Sequence, residues 1–274
     1  MSRALLVTGG FDDLGLRQVR FLHECWRLGP VTVLLWTDGA VREASGTAPR
    51  FPLVERRYLL ESLRFVSRLV TTDNWREPWR GAGDLPRGPV VGLEPGCTPA
   101  ELAAAHRMAS ALGGPVLALS ERDLAGFPAH APPPSDPAKR RVVVTGCYDW
   151  LHSGHVRFFE EASSHGELYV VVGHDANVRL LKGQGHPRFP EQQRRYLAGA
   201  VRHVHRALVS SGTGWMDAEP EMRAIQAQVY AVNDDGDKPE KLEYCRSHGL
   251  EYLVLQRAPA AGLPRRSSTD LRGF

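Results

Sequence analysis

Little in this chain marks it for an oxidising compartment, a metal cage or a membrane. Its 274 residues include only four cysteines, Cys25, Cys97, Cys147 and Cys245. They lack the short paired spacing of zinc ligands and the density of a disulfide framework, so no metal-ligating residues and a reduced, cytoplasmic setting are expected. No apolar run approaches the ~20 residues that cross a bilayer. Residues 1–8 lead straight into a strand pattern without signal-peptide organisation. Charge of one sign is scarce too: the formal net charge is +3, too mild to imply nucleic acid or a membrane surface as partner. Hydrophobic content of 42% and charged content of 24% are those of an ordinary globular chain.

What is present is a pattern for holding phosphate. Val142, Val143 and Val144 read as a buried parallel strand. Next comes the stretch Gly146-Cys147-Tyr148-Asp149-Trp150-Leu151-His152-Ser153-Gly154-His155, and then apolar residues at helical spacing, Val156, Phe158, Phe159 and Ala162. This is a strand, a tight turn and the start of a helix. His152 and His155, three residues apart on the first helical turn, share one face. That face looks at the helix N-terminus, where free N–H groups and the dipole attract anions.

The stretch resembles the Gly-x-Phe-Asp-x-x-His-x-Gly-His signature of the cytidylyltransferase-like nucleotidyltransferases. That family includes the glycerol-3-phosphate, phosphocholine and phosphoethanolamine cytidylyltransferases and the heptose-phosphate adenylyltransferases. The resemblance implies a Rossmann-like fold and transfer of a nucleotidyl group from a nucleoside triphosphate to a phosphomonoester, with release of pyrophosphate and magnesium as the accompanying ion. It implies that His152 and His155 hold the α- and β-phosphates, with Gly146, Tyr148, Asp149, Ser153 and Gly154 completing the nucleotide-binding turn.

Further segments match the family one by one. Lys182, beside the glycines of Lys182-Gly183-Gln184-Gly185, matches a loop lysine that reaches the phosphates; the alternative is a solvated surface lysine. Arg194, after Pro190-Glu191-Gln192-Gln193, matches an arginine at the nucleotide end of the site. Asn233-Asp234-Asp235-Gly236-Asp237-Lys238 resembles an acidic segment of the family, and Asp234 and Asp235 would meet a ribose, a base amine or magnesium, or else form an ordinary acidic turn. Arg257 and the tail Ser267-Ser268-Thr269-Asp270 resemble the arginine and the Ser-Thr-rich ending of the family. Here two arginines, Arg265 and Arg266, replace a glycine and an apolar residue. Trp215 and Asp217, in a Gly-rich stretch, are either substrate contacts or, for Asp217, a helix N-cap.

The chain also repeats itself. Ala4-Leu5-Leu6-Val7-Thr8-Gly9-Gly10-Phe11-Asp12 echoes Val142-Val143-Val144-Thr145-Gly146-Cys147-Tyr148-Asp149, and Pro49-Arg50-Phe51-Pro52 echoes Pro187-Arg188-Phe189-Pro190. Gly146 stands 137 positions after Gly9, and Pro187 stands 138 after Pro49. The expected fold is therefore α/β, two tandem Rossmann-like units, each a parallel sheet flanked by helices. The first would span residues 1–128, a proline-rich linker 129–139, and the second 140–274. Without gaps, His152 and His155 fall on Gly15 and Gln18, and Lys182 faces Ala44 or Ser45. The first copy is expected to be catalytically dead, an intramolecular partner that takes the place of a second subunit or sits within a homodimer.

The segment around Asp234 and the Ser-Ser-Thr-Asp ending look closest to cytidylyltransferases, which points to CTP. Arg179-Leu180-Leu181-Lys182-Gly183 and the Pro239-Glu240 pair look like heptose-phosphate adenylyltransferases, which keeps ATP and a sugar phosphate open. A nucleotide-binding regulatory protein without turnover is the reading from another class.

Overall fold

A computed structural model of the chain describes residues 3–12 and 14–266. It divides into two compact units, residues 1–126 and 127–274. In the first, β1 (Leu5–Gly9), α1 (Leu16–Leu28), β2 (Val31–Trp36), α2 (Asp38–Ser45), α3 (Leu53–Ser62), β3 (Val66–Thr72), β4 (Val90–Leu93), α4 (Pro99–Leu112) and β5 (Val116–Ala118) succeed one another in order. The second contains β6 (Arg141–Gly146), α5 (Ser153–Ser163), β7 (Glu167–Val172), α6 (Asp175–Lys182), α7 (Glu191–Ala200), β8 (Val204–Val209), α8 (Glu219–Ala224), β9 (Val229–Asn233), α9 (Pro239–Ser247) and β10 (Glu251–Leu255). The two sheets run β3-β2-β1-β4-β5 and β10-β9-β6-β7-β8, with all paired neighbours parallel. Each is thus an α/β Rossmann-like unit with the same strand order.

Valine-rich strands make the centre of the second sheet. Val142, Val143 and Val144 are fully buried, and all six residues of β7 are buried. Such runs lack polar alternation because helices cover both faces. On one face Val143, Tyr169, Val171, Tyr230 and Val232 pack against Ala218 and Met222, which flank and belong to α8, and Cys245 of α9. Side chains alternate along a strand, so Val142 and Val144 serve the opposite face.

The register shows where a ligand can enter. β6 pairs with β7 along its whole length, from Arg141↔Glu167 to Gly146↔Val172. With β9 it pairs only at Val142↔Val229 and Val143↔Tyr230. The carboxyl ends of β6 and β9 therefore splay apart where the strand order reverses, the place at which such sheets bind ligands. A hydrogen bond of 2.8 Å between Thr145 and the Tyr230 hydroxyl spans the base of the gap.

The proline-rich segment is laid on the second unit rather than held out as a spacer. His130 bonds the Tyr196 carbonyl at 2.9 Å and packs on its ring at 4.6 Å. Phe127 accepts from Arg195 at 3.0 Å. The Ser135 hydroxyl and Asp136 N–H both donate to Glu167, at 2.7 and 2.6 Å. Prolines have no N–H to give, so the few other residues carry the attachment.

Candidate active site

The turn after β6 is set by backbone strain and close packing. Tyr148 sits at φ 52°, where a bulky residue is rare and costs roughly 1–3 kcal/mol. That conformation folds its ring back over β6. A Cβ at position 146 would lie 2.8 Å from the ring, so only glycine fits there. The Tyr148 ring meets His155 edge-on at 5.2 Å and Phe159 at 5.1 Å. Asp149 is buried and accepts from the backbone N–H groups of Arg188 and Phe189 at 2.9 and 3.0 Å. It ties the turn to the loop before α7.

His152 is the N-cap of α5, and its Nδ1 accepts from the Gly154 N–H at 3.1 Å. A nitrogen that accepts is unprotonated, so the neutral ring carries its proton on Nε2. The His155 ring stacks on it, centroids 3.9 Å apart. Burial, and then the charges of Arg257 and Arg266, push the His152 imidazolium down to about 3. Burial, with His152 and Arg257 after it, holds His155 well below its ordinary range. Both rings are neutral donors at neutral pH. Ser153 is buried at the first helical position. Gly154 permits a second close approach, because a Cβ there would lie 2.6 Å from the Arg266 carbonyl oxygen.

A cavity of about 530 Å³ opens in front of this turn. Of the residues expected from the sequence, Gly146, Tyr148, Asp149, His155, Lys182, Trp215, Asp217, Asp235 and Arg257 line it. Ser153 and Gly154 border instead a small neighbouring cleft, with Arg257, Arg265 and Arg266, while His152 is buried and lines neither space. Lys182 is the last residue of α6 rather than part of a loop. Arg257, at φ 47° and 8% exposed, receives its place from its own N–H, which donates to Glu161 of α5 at 3.0 Å. Its guanidinium pairs with Asp235 at 3.4 Å. Asp234 is outside the cavity lining and faces Arg265 at 3.5 Å. Asp217 accepts from Ser210 at 2.6 Å, and Ala218 rather than Asp217 is the N-cap of α8. Trp215 is half exposed in a 3₁₀ turn, Gly214–Met216. Ser267, Ser268 and Thr269 lie outside the described residues.

Arg194 is not in the cavity lining. It is fully buried and donates to the Phe189, Cys147 and Gly173 carbonyls at 2.8, 2.7 and 2.8 Å and to Asp175 at 2.7 Å. Its fork braces the turn, the end of β7 and the head of α6 from beneath.

Two cavity residues carry no signal in the sequence. Asn177, mid-helix in α6, clamps Gly214 through both its N–H (2.8 Å) and its carbonyl (3.0 Å), and so positions Trp215. Lys241 of α9 donates to the Gly236 carbonyl at 2.9 Å, with its ammonium 5.9 Å from the Tyr230 ring centroid. Burial lowers its pKa, Lys238 adding to the effect. Their partners are distant in sequence or backbone atoms, which residue type alone does not reveal.

A parallel sheet with a splayed switch point, a histidine-capped helix at its mouth and cationic side chains around the opening suit a nucleotide or another phosphate-bearing ligand. Comparison with known proteins agrees. A family model described as cytidylyltransferase-like matches residues 143–272. An FAD synthase of Methanocella arvoryzae is 32% identical over 136 residues, 48% of this chain and 93% of that protein. An FAD synthase of Thermococcus kodakarensis is 37% identical over 121 residues, 43% of this chain and 79% of that one. The bifunctional protein HldE of Alkalilimnicola ehrlichii is 49% identical over 67 residues, 24% of this chain and 14% of that protein. The chain belongs to the cytidylyltransferase-like family and is a nucleotidyltransferase.

Proposed function

We propose that the second unit moves a nucleotidyl group from a nucleoside triphosphate to the phosphate of a small phosphomonoester. An acceptor oxygen forms a bond to the α-phosphorus while the bond to the bridging oxygen breaks, and pyrophosphate leaves. Such a reaction needs positioning and charge neutralisation more than covalent help. The observation that carries this reading is His155 at the head of α5, stacked on the buried His152 and lining one cavity with Lys182 and Arg257. In this reading the N–H groups of the imidazoles hold the phosphates in place, while Arg257 and Lys182 offset charge on the α-phosphate and the leaving group.

FAD contains an adenylyl group, so the names of the two FAD synthases favour ATP as donor over the CTP suggested by the segment around Asp234. Among the described residues no three His, Cys, Asp or Glu side chains come together as a metal cage. In this reading magnesium arrives on the triphosphate, and Asp235, a carboxylate of the cavity lining, would touch its water shell. The first unit, in this reading, is a degenerate tandem copy without turnover, supported by the repeated sequence and the shared strand order.

The test is pyrophosphate release from the full chain with each of the four triphosphates against FMN, a heptose phosphate, glycerol 3-phosphate and phosphocholine. Release with ATP or CTP and one acceptor is expected. No release with any pair, alongside measurable nucleotide binding, would replace the enzyme by a nucleotide-binding regulator.

A further inference from the structure

Four buried polar atoms around the cavity have no hydrogen-bond partner among the described residues: the Tyr148 hydroxyl, His155 Nδ1, Asn233 Oδ1 and Arg257 Nε. Buried polar groups are paired in the great majority of cases, so four orphans around one space mark a surface built for a ligand. They come from the turn after β6, the head of α5, the end of β9 and the segment after β10. These elements border the gap between β6 and β9.

Tyr148 stands out among them. The motif of the family has phenylalanine here, and the first unit keeps Phe11 in the same left-handed conformation, at φ 47° against 52°. The ring does the structural work, over Gly146 and against His155 and Phe159. The hydroxyl is not needed for that work. It is buried, and Tyr148 as a whole is only 6% exposed.

We propose that the Tyr148 hydroxyl hydrogen-bonds the ribose–phosphate part of the bound triphosphate, a contact phenylalanine cannot make. This rests on the transferase reading above. The ribose–phosphate part is chosen because Tyr148 lines the cavity beside His155, whose ring it meets edge-on at 5.2 Å and to which the proposed function gives a phosphate. Asn233 and Arg257 supply an amide and a guanidinium N–H on the same side. Leu181 and Trp215, exposed apolar residues of the same lining, are left for the acceptor.

The contact is independent of the base, which makes it testable without knowing the acceptor. ATP and CTP are titrated by calorimetry into the full-length wild type and Tyr148→Phe, with magnesium and no acceptor. The variant should bind whichever triphosphates the wild type binds about fivefold to tenfold more weakly, by the same factor for each, as expected for one hydrogen bond. Its ligand-free melting temperature should equal or exceed that of the wild type, because an unpaired buried hydroxyl is removed. Unchanged affinity, a loss confined to one base, or a lower melting temperature at unchanged affinity would each overturn the assignment. If the wild type binds neither triphosphate, the transferase reading falls and this one with it. If the wild type binds and the variant binds equally, only this one falls.

Discussion

In the first unit Asp12 accepts from the N–H groups of Arg50 and Phe51, at 2.6 and 2.8 Å; in the second, Asp149 accepts from those of Arg188 and Phe189. Arg56 donates to the Gly10, Trp36 and Phe51 carbonyls and to Asp38, as Arg194 does to Cys147, Gly173, Phe189 and Asp175. Both arginines are at most 1% exposed. The two units part at the helix head. The second has a histidine cap and a stacked partner. The first has Gly15, whose N–H donates to Gln18, and Arg17, which forms a two-pronged pair with Glu121 at 2.7 and 3.0 Å and donates to the Pro95 carbonyl. An internal carboxylate thus answers the cation of the first unit at the corresponding turn. The difference separates the residues that shape the turn, found in both units, from those to which the proposed function gives a ligand, found in one.

Four experiments can break or sharpen that division. The largest effect belongs to the histidines: His152→Ala or His155→Ala should slow pyrophosphate release by about 10²–10³-fold, equal to ~2.7–4 kcal/mol of barrier, without changing the circular dichroism spectrum. Introducing Gly15→His and Gln18→His into the His155→Ala protein should not restore turnover, since Arg17 and Glu121 still occupy that helix head. Next come the braces. Arg56→Met and Arg194→Met should each destabilise the unit that holds it by ~3 kcal/mol or more in urea unfolding, because each strands several buried acceptors. A normal stability with weakened nucleotide binding in Arg194→Met would return that residue to the ligand.

The third concerns pH. His152 and His155 have pKa values held below their unfolded value of about 6.5. The unfolded chain therefore takes up protons as pH falls through 6.5, while the folded rings stay neutral down to about 3 for His152. Their stabilising share is complete above pH 6.5 and declines below it, by up to about 1.4 kcal/mol per pH unit for each ring. The double variant His152→Gln, His155→Gln should show a flatter stability profile between pH 7 and 5. The remaining slope includes His23 of the first unit, pushed down to about 4 by burial and the neighbouring Arg20. An unchanged slope would mean the rings are solvated. The smallest effect is at the strap: His130→Ala should cost the second unit ~1 kcal/mol in melting experiments, by loss of one hydrogen bond and a ring contact.

Strand, turn and helix around position 146 are legible in the sequence, because valine runs and helical spacing reflect burial that any parallel sheet imposes. The meeting of His152 and His155 at the helix head is legible because a spacing of three residues on one turn is local. The part played by Asp149 and Arg194 is not. A motif match shows that a charge is present at a position but does not distinguish a ligand from a backbone N–H or carbonyl as its partner. Asn177 stays hidden for a related reason, since Gly214 is brought near only by the fold, and Lys241 because its partner, the Gly236 carbonyl, is a backbone atom. The proline-rich segment misleads in the other direction: its composition suggests a spacer, while His130, Ser135 and Asp136, scattered among the prolines, attach it to Tyr196 and Glu167.

Lys182 is a charge mounted at the tip of a short rod. The rod is clamped at its base, where Asp175 meets Arg194 and His174 caps the first turn. The Lys182 backbone lies ~10 Å further along the axis, at 1.5 Å per residue. Past it, Gly183 and Gly185 adopt φ of 85° and 83°. Rotating or fraying only the last turn would redirect the cation without disturbing the stacked imidazoles, so reach and grip can be tuned by separate parts of the chain.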